Sequence, residues 1–203
     1  MESRRGLIKK TLGGAALLAA AGAVPLALRK TKLVQPRSAL KFFTEAEYSI
    51  WAAVADRVLS QEVTAATRDA ESGTADAALL ALKRPAAPAP AQVDVAGKAD
   101  AFLAPLSPSE AKDLKQLLAL FDNALFSFVS GGPARPFTQM DPAEQDEHLH
   151  AWQTSRLAIK RTGFQAMKRL CCAIYFGAPE TYASAGYPGP PYELVKSALE
   201  SRK

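Results

Sequence analysis

The chain is poor in the residues that most often carry chemistry, with 2 cysteines and 2 histidines in 203 residues. Cys171 and Cys172 are adjacent, so their Cα atoms lie about 3.8 Å apart, too close for ordinary disulfide geometry. One pair of thiolates is also too few for an iron-sulfur cluster. Burial as small apolar side chains is the first reading of the pair; a bridge to a partner chain or a metal ligand is the other. His148 and His150 stand two apart, which on a helix turns them to different sides. Glu144 and His148 have i, i+4 spacing, yet two groups do not close a metal site. Asp141, Glu144, Asp146 and Glu147 read equally well as an acidic first turn favoured by the helix dipole. The motif C-x-x-C-H is missing, which excludes the usual covalent haem attachment. So is G-x-G-x-x-G, which excludes the dinucleotide fingerprint, and no Ser or Cys has a nucleophile-elbow context. No catalytic, cofactor-binding or metal-binding residue is therefore assigned, and no cofactor is expected on this chain itself.

Strand signals are missing too: there is no sustained alternation and no Asn-Gly or Asp-Gly hairpin between apolar runs. With 48% hydrophobic and 22% charged residues, disordered, collagenous and multi-span membrane classes fit poorly. The expected fold is all-α, a compact orthogonal helical bundle. It forms a single domain, residues 31–203, behind an N-terminal signal segment, residues 1–30. Nucleic acid is not an expected partner, because the net charge of +5 falls to +2 once residues 1–23 are set aside, leaving 21 basic against 19 acidic residues.

Those first thirty residues have three zones: a basic start, an uncharged stretch from Thr11 to Leu28, and a second basic group at Arg29, Lys30 and Lys32. Arg4-Arg5 followed by Gly6, Leu7, Ile8 and Lys9 resembles the twin-arginine consensus. The export-signal residues are thus Arg4, Arg5, Leu7, Ile8 and Lys9. The 18-residue uncharged stretch holds seven Ala, three Gly and five Leu, so its transfer into lipid is only modestly favourable. Low hydrophobicity followed by positive charge disfavours the unfolded-chain route. Ala21-Gly22-Ala23 offers a small-x-small cleavage site. A retained membrane anchor is the other reading, since about 20 residues span a bilayer. The twin-arginine route carries folded proteins, often with a cofactor or partner in place. The chain therefore either binds a cofactor or escorts a protein that does.

Along the body, Lys32 to Phe43 reads as an extended approach. Thr44 and Glu47 form a capping box at the start of the first helix, whose apolar face is Tyr48, Trp51, Val54, Ala55 and Val58. Residues 60–73 are polar and aperiodic and read as a loop; a short helix is expected from Thr74 to about Lys83. The Pro/Ala-rich run near 85–92 reads as an extended, exposed linker. Ser107, Pro108 and Glu110 start a helix with Leu114, Leu117, Leu118, Phe121, Leu125 and Phe128 on one face, ending at Gly131-Gly132-Pro133. Asp141, Pro142 and Glu144 start another, continuing to about Phe176 with a bend near Thr162-Gly163, and Gly177 and Pro179 end it. A C-terminal helix is expected from about Tyr192. No acid lies between Glu147 and Glu180, whereas Arg156, Lys160, Arg161, Lys168 and Arg169 do. This basic face is either simply solvated or a docking face for an acidic partner subunit.

Residues 164–191, FQAMKRLCCAIYFGAPETYASAGYPGPP, resemble the end of the gluconate 2-dehydrogenase subunit 3 family. The shared features are the aromatic pair Tyr175-Phe176, the stop Gly177-x-Pro179, the aromatic Tyr182, and Gly186-Tyr187-Pro188-Gly189. Residues 42–60 are similar to the family's first helix, with Ala55, Asp56, Arg57 and Val58 matching its Ala-Asp-Arg-Ile. The chain departs from the family after that point, where Ser60-Gln61-Glu62 stands instead of a Pro-containing loop. The resemblance implies a non-catalytic small subunit of a periplasmic flavoprotein dehydrogenase. In such an assembly FAD sits in the large subunit, which oxidises a sugar, sugar acid or other alcohol, and electrons leave through a cytochrome c subunit or the quinone pool. The small subunit supplies the signal read by the twin-arginine translocase, and the assembly works in the periplasm, free or attached to the inner membrane. The candidate partner interface is Arg161, Lys168, Tyr175, Phe176, Tyr182, Gly186, Tyr187, Pro188 and Gly189. A stand-alone exported or membrane-tethered helical protein with a redox or metal-binding role is the alternative.

Overall fold

The computed structural model describes residues 30–71 and 84–191, with the backbone alone for 61–71. The export-signal residues and the helices expected over Thr74–Lys83 and from Tyr192 lie outside the described residues. Every regular element described is helical, in keeping with the all-α expectation.

Helix α1 spans Glu45–Glu71, about 40 Å at 1.5 Å per residue. The Thr44 N–H donates to Glu47 Oε2 at 2.8 Å and the Glu47 N–H to Thr44 Oγ1 at 3.3 Å, closing the expected box. Tyr48, Trp51, Val54, Ala55 and Val58 are all buried. The loop expected from residue 60 is overturned as far as Glu71. No Gly or Pro interrupts 60–71, and its Gln, Glu, Ala and Arg residues favour helix without an apolar stripe.

The Pro/Ala run is extended and mostly exposed over 85–89, as expected, but it is pinned to the body and turns helical at Pro90. Its Pro88 carbonyl accepts a 2.6 Å hydrogen bond from the Tyr175 hydroxyl, and Pro90 opens α2 (Pro90–Val93). At Asp94, with φ of 55°, the chain turns into α3 (Val95–Leu103), and the Asp94 side chain accepts from the Gly97 N–H to cap it. Helix α4 (Pro108–Phe121) opens on the Ser107–Glu110 box but stops ten residues short of Gly131. Asn123 takes an extended backbone and accepts the Phe126 N–H at 2.9 Å, starting a separate α5 (Ala124–Val129). That break swings Phe128 out of the expected apolar face, leaving it 57% exposed.

A short 3-10 turn, Phe137–Gln139, leads to α6 (Pro142–Gln153), whose Asp141 and Glu144 cap each other. The following helix is likewise separate: α7 spans Ala158–Phe176, so the break falls at 154–157 and the Thr162-Gly163 pair runs unbroken inside α7. Gly163 serves packing instead, lying under Leu117 and Trp152. Gly177 caps α7, and α8 (Pro179–Ala185) follows.

Helix α1 packs against α3, α4, α6, α7 and the 3-10 turn, and α7 against α3, α6 and α8. The centre is aromatic. Phe121 meets Phe137, His148 and Trp152 at ring-centroid distances of 4.7, 4.9 and 4.8 Å. Each such buried ring contributes about 1.5–3 kcal/mol. Arg57 forks onto the Asp146 carboxylate, tying α1 to α6. The approach segment is strapped to this core. Thr31 Oγ1 donates to Asp122 Oδ2 at 2.7 Å, the Lys32 N–H to Thr138 Oγ1 at 3.1 Å and the Val34 N–H to Ser49 Oγ at 2.8 Å. Farther along, the Asp100 carboxylate of α3 accepts the N–H groups of Lys41, Phe42 and Phe43 at 2.7, 2.9 and 2.8 Å.

Candidate functional site

Of the candidate interface residues, Arg161, Lys168, Tyr175 and Phe176 lie along α7, and Tyr182 and Gly186–Gly189 lie on α8 and the turn after it. From Arg161 to Phe176 is fifteen positions, about 22 Å along the axis, so Arg161 stands apart from the aromatic end. Lys168 is half-buried midway, and Arg161 is exposed, its guanidinium donating to the Ser155 carbonyl at 2.6 Å. The structure brings together Tyr175, Phe176, Tyr182 and the Gly186–Gly189 turn.

Their geometry is set locally. After Gly177 the Thr181 side chain turns inward and is wholly buried, its hydroxyl lying 3.0 Å from the Tyr175 carbonyl and 2.8 Å from that of Ala178. This staples α8 to the end of α7. Tyr182 lies over the junction and its hydroxyl donates to the Gly177 carbonyl at 3.1 Å. The turn then needs glycine at 186: φ is +69°, and a Cβ there would stand 2.7 Å from the Arg84 guanidinium carbon. The Tyr187 N–H donates to the Tyr182 carbonyl at 2.8 Å, and the two tyrosine rings meet edge to face at 5.0 Å.

Two members of the expected surface are inside it. Tyr175 is wholly buried and Gly189 is buried, so neither presents itself to a partner. The Tyr175 hydroxyl is committed to Pro88, and burial pushes its pKa up, so it stays a neutral donor. Phe176 and Tyr187 are 40% and 44% exposed, and Pro188 is exposed beside them. A neighbour the motif did not include is Phe102, 64% exposed. It lies one turn beyond Lys98 on α3, so the two share a face, and Lys98 pairs with Glu180 of α8 at 2.9 Å. The pairing holds the Glu180 carboxyl below its ordinary range. Only the i, i+4 spacing of Lys98 and Phe102 hinted at this neighbour in the sequence.

The basic face needs one correction, because Lys160 is buried. Its ammonium lies 4.7 Å from the Phe126 ring centre and 5.6 Å from that of Trp152, a cation–π arrangement. Burial lowers its pKa. Nearby, His148 is buried among the same rings, and its pKa is pushed down to about 4, first by burial and then by the Lys160 charge. Glu144, the other half of the considered metal pair, is occupied by the Asp141 N–H and by Arg135 at 3.2 Å. Among the described residues no three His, Cys, Asp or Glu converge as metal ligands. Cys171 is fully buried in the core, and burial drives its thiol pKa upward, holding it protonated and inert.

A groove of about 230 Å³ lies between the strap, α1 and the α2–α3 corner. Its walls are Ala, Val and Pro with five polar members, Gln35, Arg37, Tyr48, Asp56 and Asp94. Burial, and then Asp94 beside it, raises the Tyr48 pKa. The Tyr48 phenol hydrogen-bonds the Asp94 carboxylate, which also caps α3.

What the arrangement can do is present aromatic surface: Phe176, Tyr182 and Tyr187 on a stapled helix end, tied by the Lys98–Glu180 pair to α3, which carries the exposed Phe102. Aromatic anchors with a polar rim are the usual make-up of a protein-binding hot spot. Compared with protein-family models, with curated proteins and with solved structures, the chain matches none.

Proposed function

We propose that the chain is the non-catalytic small subunit of a periplasmic FAD-dependent (GMC-type) dehydrogenase for sugars, sugar acids or alcohols. It assembles with the flavoprotein, stabilises it and escorts it for folded export through the twin-arginine translocase. The observation that carries the reading is the exposed aromatic end of α7 and α8. It coincides with the residues that resemble the gluconate 2-dehydrogenase subunit 3 family. The twin-arginine leader supports the escort role. FAD belongs to the partner, and a cytochrome c subunit is a further candidate member.

Co-expression with a GMC-type flavoprotein dehydrogenase that lacks its own leader should give a yellow complex in which this chain is retained. Phe176→Ser with Tyr187→Ser should release the flavoprotein while leaving the helical content intact. Replacing Arg4 and Arg5 by Lys keeps charge but removes the planar guanidinium, and dehydrogenase activity should then move from periplasm to cytoplasm. Undiminished periplasmic activity in that variant, or isolation of the native chain as a partner-free monomer, would overturn the proposal.

A further inference from the structure

The opposite end of α7 carries a second surface of different character. Phe128 and Val129 at the end of α5 are 57% and 75% exposed, and Leu157 and Ile159 at the start of α7 are 53% and 61% exposed. Both pairs lie within three residues of one contact point, the Lys160 ammonium over the Phe126 ring. That contact joins the two segments, so four exposed apolar side chains flank one junction of α5 and α7. Positive charge accompanies them: Arg156 and Arg161 are exposed there, and no acid occurs from 148 to 179.

The start of the described chain lies at the same corner. The Gln139 amide donates to the Lys30 carbonyl at 2.6 Å, and Thr31 and Lys32 bond Asp122 and Thr138. Helix α5 begins two residues after Asp122 and is six residues long, so its tip lies within about 16 Å of the Asp122 backbone. Exposed Lys30 and Lys32 add to the charge there.

We propose that this corner, formed by α5 and the first turn of α7, is an interfacial contact with a bilayer carrying anionic lipid headgroups. Phe, Val, Leu and Ile side chains would enter the headgroup–acyl boundary while Arg156, Arg161, Lys30 and Lys32 meet the phosphates. A bilayer fits better than a protein partner for two reasons. The apolar residues protrude around a basic border, and an uncharged 18-residue stretch, Thr11 to Leu28, leads directly into Lys30. Among the described residues no helix is long and apolar enough to cross a membrane, so the contact is in-plane. It makes no use of the flavoprotein, whose proposed surface lies at the other end of α7.

The test is co-sedimentation of the full chain with phosphatidylcholine vesicles, alone or with about 30% phosphatidylglycerol, in about 0.1 M salt. The leader is common to every variant, so differences between them isolate the corner. Phe128→Ser, Val129→Ser, Leu157→Ser and Ile159→Ser together should weaken binding to anionic vesicles by about ten-fold or more. Arg156→Gln and Arg161→Gln, a milder pair at exposed positions, should cost about five-fold each on anionic vesicles and nothing on phosphatidylcholine alone. Phe176→Ser with Tyr187→Ser should leave vesicle binding unchanged. The proposal is overturned if the corner variants bind as wild type does, or if the anionic lipid makes no difference. Equal loss in the Phe176/Tyr187 variant would overturn it too. Corner variants at Phe128, Val129, Leu157 and Ile159 that lose the flavoprotein while keeping vesicle affinity would assign the corner to protein contact instead.

Discussion

Replacing His148 by Leu should flatten the pH dependence of folding stability. His148 is 6% exposed, and its folded pKa of about 4 lies below the ordinary 6.5. The unfolded chain therefore takes up this proton first as pH falls. The stabilisation tied to neutral His148 is complete above about pH 6.5 and is lost progressively toward pH 4. The loss amounts to about 2 kcal/mol at pH 5 and about 3 kcal/mol at pH 4. Leu has a similar volume and no proton to gain, but it abandons the hydrogen bond to the Phe121 backbone, which costs about 1 kcal/mol. The variant should be slightly less stable than wild type near neutrality and more stable near pH 5. Urea unfolding followed by the fluorescence of Trp51 and Trp152, both wholly buried, measures the difference. Carboxylates titrate mostly below this window, so they add little to it. Parallel profiles for wild type and variant from about pH 7.5 to about pH 5 would refute the reasoning.

Lys160→Met keeps the buried stem but removes the charge that helps depress His148, so the His148 pKa should rise above about 4 in an NMR titration; an unchanged value would deny the coupling. Asp100→Asn should destabilise by about 2 kcal/mol at neutral pH, since one amide oxygen cannot replace two carboxylate oxygens holding three N–H groups. Burial raises the Asp100 carboxyl, but the three donors together hold it below the ordinary 3.8. Its contribution is thus full above that range and lost as pH falls through it, and the gap between wild type and variant should close in acid. Gly163→Ala brings a Cβ against Leu117 Cδ1 and within 3.3 Å of the Trp152 ring. Overpacking of about 1–3 kcal/mol exceeds the helix-propensity gain of about 1 kcal/mol, so Tm should fall by about 3 °C. A raised Tm would remove the packing role assigned to Gly163.

What the sequence made legible was chiefly local. Thr44, Ser107 and Asp141 announce their helices because each cap is closed by a residue three positions on. Breaks were harder to read where periodicity continues across them. Leu125 and Phe128 prolong the α4 stripe, and only Asn123, a good cap in mid-pattern, marks the interruption. Gly163 attracts an expected bend that falls instead at 154–157, because its missing side chain makes room for Leu117 and Trp152. At the site, the glycines reveal the Gly186–Gly189 turn. The inward course of Tyr175 depends on Pro88, 87 residues away, and nothing near Tyr175 encodes it. Lys160 is similar: its ring partners come from α5 and α6, so its burial is a property of the assembled core.

The strap has a mechanical consequence. A pull on the chain at Lys30 does not load the end of α1 directly. It first meets the bonds to Gln139, Asp122 and Thr138, whose partners lie 109, 91 and 106 residues away in sequence. Tension is thus handed sideways into the centre of the fold, and the segment from Lys30 to Lys32 must peel bond by bond before the load reaches α1 through the Val34–Ser49 bond. The body resists traction only while α4, the 3-10 turn and α1 stay assembled, so a partly unfolded chain would yield at its leash first.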